Sequence, residues 1–388
     1  MRGDEVRFAV EAIVVRGTHY SSTRTIVAES RLEAGRAYTE NELRDAVARV
    51  NRLPFVIHAE PSLEKGSQRG QYVVVITIQE TKPFFVNYAW AKEDDDGFRI
   101  ESQDATAGFR FFAGSSGMAT VSTGYSGCAT PGGTCFSQFT DVTATYTQYD
   151  LFNTRASATA LVQFDNQDFS ADPFATGSTD FTVYDRTIIV LSAAVPLFGN
   201  NVLRASYRRR TVPLYVVAQP QPLVLREIKS HPTTAQMAWL YDTTDDPLFP
   251  TRGTLFSASA DWQRSLGRVR GAPARTRALI VPGGDVVYRK FWDVGGGQSL
   301  TIGGEASRRR SDNEVVLRGG YSASLWGRDS TLRFGDLRVS ATVEHHFMRF
   351  TTSKIQTGRN AATLGLGYRS EWGVIGAAFT YERRRGSY

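Results

Sequence analysis

From residue 83 onward the chain alternates apolar and polar positions with a period of two. Phe84, Val86, Tyr88 and Trp90 share one face of the first such segment. Val142, Ala144 and Tyr146 oppose Asp141, Thr143, Thr145 and Thr147; Ala158, Ala160, Val162 and Phe164 oppose Ser157, Thr159 and Gln163. The same holds for Leu203, Ala205 and Tyr207, for Leu300, Ile302 and Ala306, for Leu337, Val339, Ala341 and Val343, and for Leu364, Leu366 and Tyr368. A period of two puts alternate side chains on opposite faces of a strand. Here the polar faces carry Arg, Glu and Asp mid-segment, and the apolar faces often end in Tyr, Trp or Phe. A soluble sandwich hides its apolar faces in one thin core, whereas a membrane barrel turns them outward, with aromatic belts, around a polar lumen. Segments of about ten residues match a tilted membrane strand. The fold class expected is therefore mainly β, a transmembrane antiparallel barrel over residues 83–388. Short turns at 151–155, 198–201 and 295–298 alternate with longer polar connections. Walking them predicts about fourteen strands, within twelve to sixteen, and an even number if both ends lie on one side of the membrane.

Residues 1–82 follow a different pattern. Residues 6–15 (VRFAVEAIVV) read as a strand and 22–31 as a short helix. Thr39-Glu40-Asn41-Glu42 is a capping box, in which the Thr hydroxyl accepts from a free helix N–H and the Glu reaches back to the cap. The helix that follows carries Leu43, Val47 and Val50 on one face and stops at Pro54. Residues 55–63 and 72–78 read as two strands joined by a polar turn at 65–70. The order is β-α-α-β-β, a small domain ahead of the barrel.

Within the barrel region, DTTDDPLFPTRG (242–253) joins two alternating segments, 234–241 and 254–264. Pro247, Pro250 and Gly253 punctuate it as a tight hairpin connection. The longest apolar-rich run, 187–198, is too short for a spanning helix of about 20 residues and contains Pro196.

Composition narrows the picture. Hydrophobic residues are 41% of the chain and the mean hydropathy is −0.28, values that suit a soluble protein and equally a barrel with a polar lumen. The formal charge of +6 comes from arginine. Arg208–Arg210, Arg308–Arg310 and Arg383–Arg385 each end an alternating segment, as solvated strand ends or as contacts to anionic lipid head groups. No nucleic-acid-binding module accompanies them, and no nucleic-acid partner is expected. Cys128 and Cys135 flank a Gly/Pro-rich loop and are read as a disulfide of an oxidising compartment, with free thiols the alternative. His345 and His346, adjacent on a strand, point to opposite faces, and no metal site is read. No Gly-x-Ser-x-Gly element or triad is present, so the chain is not expected to be an enzyme. The start, MRGDEVRFAV, lacks the apolar run of a secretory signal; it reads as the start of a soluble chain, or of a mature, trimmed or partial one.

Two resemblances add to this reading. The early V-R-G, the "LEAGRAYTENEL" entry to the second helix, the "RVNRLPFV" exit and the last strand ending in Glu80 resemble a POTRA domain. DDPLFPTRG before an alternating strand resembles the signature turn of the bacterial surface antigen superfamily, which includes BamA, TamA and the two-partner-secretion translocators. Asp246, Pro247, Phe249, Pro250 and Gly253 carry that turn. The family also has a long extracellular loop with a V-R-G-F/Y motif folded into the lumen, its Arg meeting acidic groups of the wall. The best match is Val316-Leu317-Arg318-Gly319-Gly320-Tyr321, which departs from the motif by an inserted Leu and an extra Gly. Arg318, Gly319 and Tyr321 are the motif residues carried over, with Glu344 the first acidic partner and Glu305 the second.

The resemblance implies a Gram-negative outer-membrane protein with its POTRA domain in the periplasm. Its partners would be outer-membrane lipids, lipopolysaccharide and unfolded client polypeptides. POTRA strand addition would capture the client, and a weak barrel seam would insert or export it, with no cofactor and no ATP. The alternatives are a passive pore with a POTRA docking handle, or the translocator part of a longer secreted-hydrolase fusion. For the tail, either 365–385 is a penultimate hairpin and a closing strand is missing, or residues 374–384 form the closing strand and Tyr388 the terminal aromatic; the second is preferred.

Overall fold

The computed structural model describes residues 6–95, 98–112, 117–130, 133–151, 154–171, 181–218, 224–230, 232–265, 267–269, 279–308, 312–326, 336–350 and 356–385. The amino-terminal unit runs β1 (Arg7–Arg16), α1 (Thr23–Ser30), β2 (Ala37–Thr39), α2 (Glu40–Asn51), β3 (Val56–Lys65) and β4 (Gln71–Glu80). Its sheet has the order β2-β1-β4-β3, with β1 parallel to β4 and β3 on one edge. The short β2 was not read from the sequence. The capping box is formed: Glu42 N–H donates to Thr39 Oγ1 (3.2 Å), and Thr39 N–H to Glu42 Oε2 (2.7 Å). With the helix started, Leu43, Val47 and Val50 are buried together with Val10, Ile26, Val74 and Ile76. The β1–α1 turn is held from the end of β4. The Glu80 carboxylate accepts the N–H groups of His19, Tyr20 and Ser21 at 2.8, 2.9 and 3.0 Å.

The rest of the described chain is strand and turn: β5 (Phe84–Asp95), β6 (Phe98–Phe112), β7 (Gly117–Thr130), β8 (Gly133–Leu151), β9 (Ala156–Ala171), β10 (Phe181–Pro196), β11 (Asn201–Ala218), β12 (Val224–Ser230), β13 (Thr233–Asp242), β14 (Gly253–Ser265), β15 (Gly267–Val269), β16 (Leu279–Gly295), β17 (Gln298–Arg308), β18 (Asp312–Trp326), β19 (Asp336–Phe350), β20 (Gln356–Ser370) and β21 (Gly373–Arg385). They form a closed barrel. β12 pairs with the far part of β11 and with β15, beyond the main wall. The wall itself has 15 strands. Among the described residues this is one more than the fourteen expected and within the twelve to sixteen allowed; the even number expected for two ends on one side does not arise, because the two ends lie on opposite rims. β5 leaves the rim next to the amino-terminal unit (the near rim), and β21 ends at the opposite, far rim, so first and last strands run the same way. Their pairing is parallel, the single departure from an otherwise antiparallel wall.

Burial in the wall is the inverse of that in a soluble protein. Phe164, Ile302, Val343 and Leu364 are 57%, 59%, 62% and 62% exposed on the outside. Ser122, Ser299, Asp336, Arg338, His346 and Glu382 are buried inside. A continuous apolar band of this kind belongs in hydrocarbon. Among the described residues, no helix is long and apolar enough to cross a membrane.

Candidate functional site

The connection between β13 and β14 is a lid at the near rim and not the tight hairpin expected. The strands still pair from Thr233↔Arg264 to Asp242↔Leu255, but residues 243–252 between them fold into the lumen. Local hydrogen bonds shape the connection. Asp242 Oδ1 accepts from Thr244 N–H (2.8 Å), Asp245 Oδ1 from Thr251 N–H (2.8 Å), and Asp246 Oδ1 from the N–H groups of Leu248 and Phe249 (2.8 and 2.9 Å). Gly253 closes it at φ 112, where a Cβ would lie 2.3 Å from Thr243 O. Only glycine fits there.

Two arginines from across the lumen clamp this lid. Arg369 donates to both Asp246 oxygens, at 3.0 and 2.7 Å. Arg338 donates to Phe249 O at 3.1 Å and is itself held by Asp336 at 2.9 Å. The Phe249 ring lies 5.4 Å from the Arg338 guanidinium and 5.5 Å from that of Arg369, within cation–π range. Gly367 leaves room for the ring, since a Cβ there would sit 3.1 Å from it. Burial by itself pushes the Asp246 carboxyl up. The Arg369 charge and hydrogen bonds, with the Phe249 and Leu248 amides, outweigh it and leave the group below the ordinary carboxylate range.

The amino-terminal unit sits on the same rim. Arg52 donates to Thr244 O (3.1 Å), Arg49 to Asn200 Oδ1 (2.8 Å), and Arg31 to Gly199 O. Burial, with Arg31 and Arg52 close by, lowers Arg49 to about 10, so it stays charged at neutral pH. Phe111, at φ 67, stacks on Tyr20 (5.3 Å between centroids) and packs on Phe55 (5.9 Å).

The sequence placed Arg318, Gly319 and Tyr321 in a loop. They lie instead on β18, within the wall. Arg318 faces the lumen opposite Glu344 in the β18–β19 register, with Nε 2.6 Å from Glu344 Oε1. That contact is a charge pairing and not an aligned hydrogen bond, because the Nε–H finds no acceptor. Gly319 and Tyr321 face outward. Glu305 borders a small cavity beside Arg289 and Arg318, but the ion pair goes to Glu344. His346 faces the lumen between Glu314 (3.0 Å) and Glu344 (3.2 Å), while His345 faces outward and meets Asn360. Cys128 stands opposite Cys135 in the β7–β8 register; their side chains, Arg309, Arg310, Tyr388 and the side chains of Arg384 and Arg385 lie outside the described residues. The sequence reading missed Arg338 and Arg369 as lid partners. Their only signal was a position on the polar face of a strand end.

At the seam, β21 and β5 pair from Ile375↔Tyr88 to Glu382↔Asp95. The neighbouring β20–β21 pair runs the full length from Ser370↔Gly373 to Gly358↔Arg385. The near end of the seam is pinned: Val86 N–H donates to Trp372 O (2.8 Å), Lys82 N–H to Glu371 O (2.9 Å), and Val374 N–H to Asn87 Oδ1 (2.9 Å).

No protein-family model matches the chain, and no curated protein sequence matches it. Solved structures do match in fold. CdiB from Escherichia coli is 12% identical with a TM-score of 0.59, over 98% of this chain and 73% of that one. CdiB from Acinetobacter baumannii is 5% identical with a TM-score of 0.51, over 97% and 74%. BamA from Haemophilus ducreyi lacking POTRA domains 1–3 is 14% identical with a TM-score of 0.47, over 98% and 82%. The chain thus has the barrel fold of the two CdiB structures.

Proposed function

We propose that this barrel inserts polypeptides into the outer membrane or exports them across it, using its seam as the moving part. The observation that carries the reading is the β21–β5 pairing. It is parallel, a geometry slightly less stable per residue than antiparallel pairing, and shorter than the pair beside it. The lid supports the same reading against that of a passive pore, because residues 243–252 occupy the near mouth of the lumen. The amino-terminal unit acts as a periplasmic POTRA-type module. Its edge strand β3 offers unpaired backbone groups to an extended client, although Pro61 removes one donor from that edge. Arg318 and Glu344 brace the wall next to the seam half of the barrel. The reaction asks for no cofactor and no nucleotide.

The test locks the seam. Tyr88 and Ile375 are register partners, so Tyr88→Cys with Ile375→Cys can close it under oxidation. The full chain in phospholipid vesicles is expected to speed folding of a urea-unfolded outer-membrane barrel protein. Oxidised double-cysteine protein should fall back to the rate of empty vesicles, and reductant should restore it. An unchanged rate in the locked form would remove the seam from the mechanism. Large, steady conductance in planar bilayers would favour a pore.

A further inference from the structure

Outward-facing arginines gather at the far rim. Arg209 on β11, Arg264 on β14, Arg308 on β17, Arg349 on β19 and Arg383 on β21 are all exposed. Each continues the apolar outward face of its strand: Arg264 follows Trp262, and Arg383 follows Phe379 and Tyr381. No carboxylate pairs with any of them among the described residues. At the near rim, the outward cation on the described strands is Lys290, and its ammonium is taken by Thr254 Oγ1 at 3.0 Å. An unpaired guanidinium at a bilayer edge reaches for head groups, and its fork suits phosphate oxygens.

Over β17 to β21 this cationic rim adjoins a groove of about 710 Å³ in the outer wall. Gly319 and Ala362 leave the wall dished between Ile302, Leu317, Val343 and Tyr381. At the rim-side edge of the groove, His345, Asn360 and Arg383 stand in one register row. Four residues further along β19, Arg349 lies in a row with Asn313 and Arg308. The volume falls within the roughly 300–1,000 Å³ typical of ligand pockets. Its lining faces hydrocarbon, its upper border is polar, and the border's charge is positive. Such a surface complements a molecule with acyl chains below and phosphates above.

We propose that this face of β17 to β21 binds a phosphate-bearing, multiply acylated lipid of the outer leaflet. Acyl chain fills the groove between Leu317, Val343 and Tyr381, and Arg383 and Arg349 hold the phosphates. The inference rests on the outer-membrane orientation described above and is independent of polypeptide insertion.

The test uses the full chain in zwitterionic micelles, with native mass spectrometry to measure bound lipid and heat-modifiable gel mobility to establish that each variant is folded. The probes are bisphosphorylated lipid A, the same lipid without phosphates, and inorganic phosphate alone. Arg349→Gln with Arg383→Gln is expected to weaken lipid A binding by about tenfold or more. Arg209→Gln with Arg264→Gln removes equal charge away from the groove and should change it little. Val343→Trp, which fills the groove and keeps the charge, should also weaken it. Equal loss in the two arginine pairs would overturn the site in favour of diffuse charge attraction. Phosphate-free lipid binding as tightly as lipid A would overturn the phosphate assignment, and inorganic phosphate binding as tightly would overturn the role of the groove.

Discussion

Asp246 and Arg369 are 123 positions apart in the chain, yet their two-pronged contact fastens the lid to the opposite wall. Both side chains are nearly buried, so removing Arg369 leaves the Asp246 carboxylate buried without its counter-charge. Arg369→Ala is expected to destabilise the folded barrel by about 3 kcal/mol, measured by denaturant unfolding in micelles. The sign of the pH effect follows from the Asp246 carboxyl, which is depressed in the folded state. Its stabilisation is complete above the unfolded value of about 3.9 and is lost as pH falls through the lower folded value. Unfolding curves at neutral and strongly acidic pH should therefore converge more in Arg369→Ala than in the parent chain. Arg318→Ala should also loosen the heat-resistant form on gels, but less, because Glu344 keeps His346 at 3.2 Å. Asp246, Phe249 and Gly253 stood out in the sequence as a turn. Nothing local pointed to Arg338 and Arg369, because cross-lumen pairing leaves no trace in spacing.

At the scale of elements, signals confined to a few neighbouring residues were legible. The Thr39 to Glu42 box starts α2 where the sequence places it, and Thr39→Ala should lower the stability of the amino-terminal unit by about 1 kcal/mol, read from its thermal unfolding. Long alternating strands with bulky outward residues were equally plain. β6 and β7 were not. Their outward positions include Glu101, Gln103, Ala105 and Ala119, too small or polar to mark an apolar face. The odd number of strands and the parallel seam were not legible either, since parity is a property of the circuit and not of any one strand. The placing of Val316 to Tyr321 in a loop failed for a related reason. A motif match identifies residue types, whereas the apolar alternation of Val315, Leu317 and Tyr321 with Val316 and Arg318 already fitted a wall strand.

For the whole molecule, the reversed burial makes a direct prediction. Leu364 lies mid-strand on the outer face and is 62% exposed. Leu364→Arg is expected to destabilise the barrel in bilayers by about 2–4 kcal/mol, and Thr363→Arg, facing the lumen, by much less. Refolding yield and denaturant midpoint in vesicles check the pair. If the two variants behave alike, the assignment of faces is wrong.

The sequence by itself determined what depends on near neighbours: period-two faces, the helix cap, the glycine-closed turn, and hence a barrel preceded by a small α/β unit. Only the tertiary structure decided what depends on closure. The strand count, the parallel seam, the lid clamped by Arg338 and Arg369, and the arginines gathered at one rim above a groove all join residues far apart in the chain. A period along the backbone says which way a side chain points. What it points at is settled only once the sheet has closed on itself.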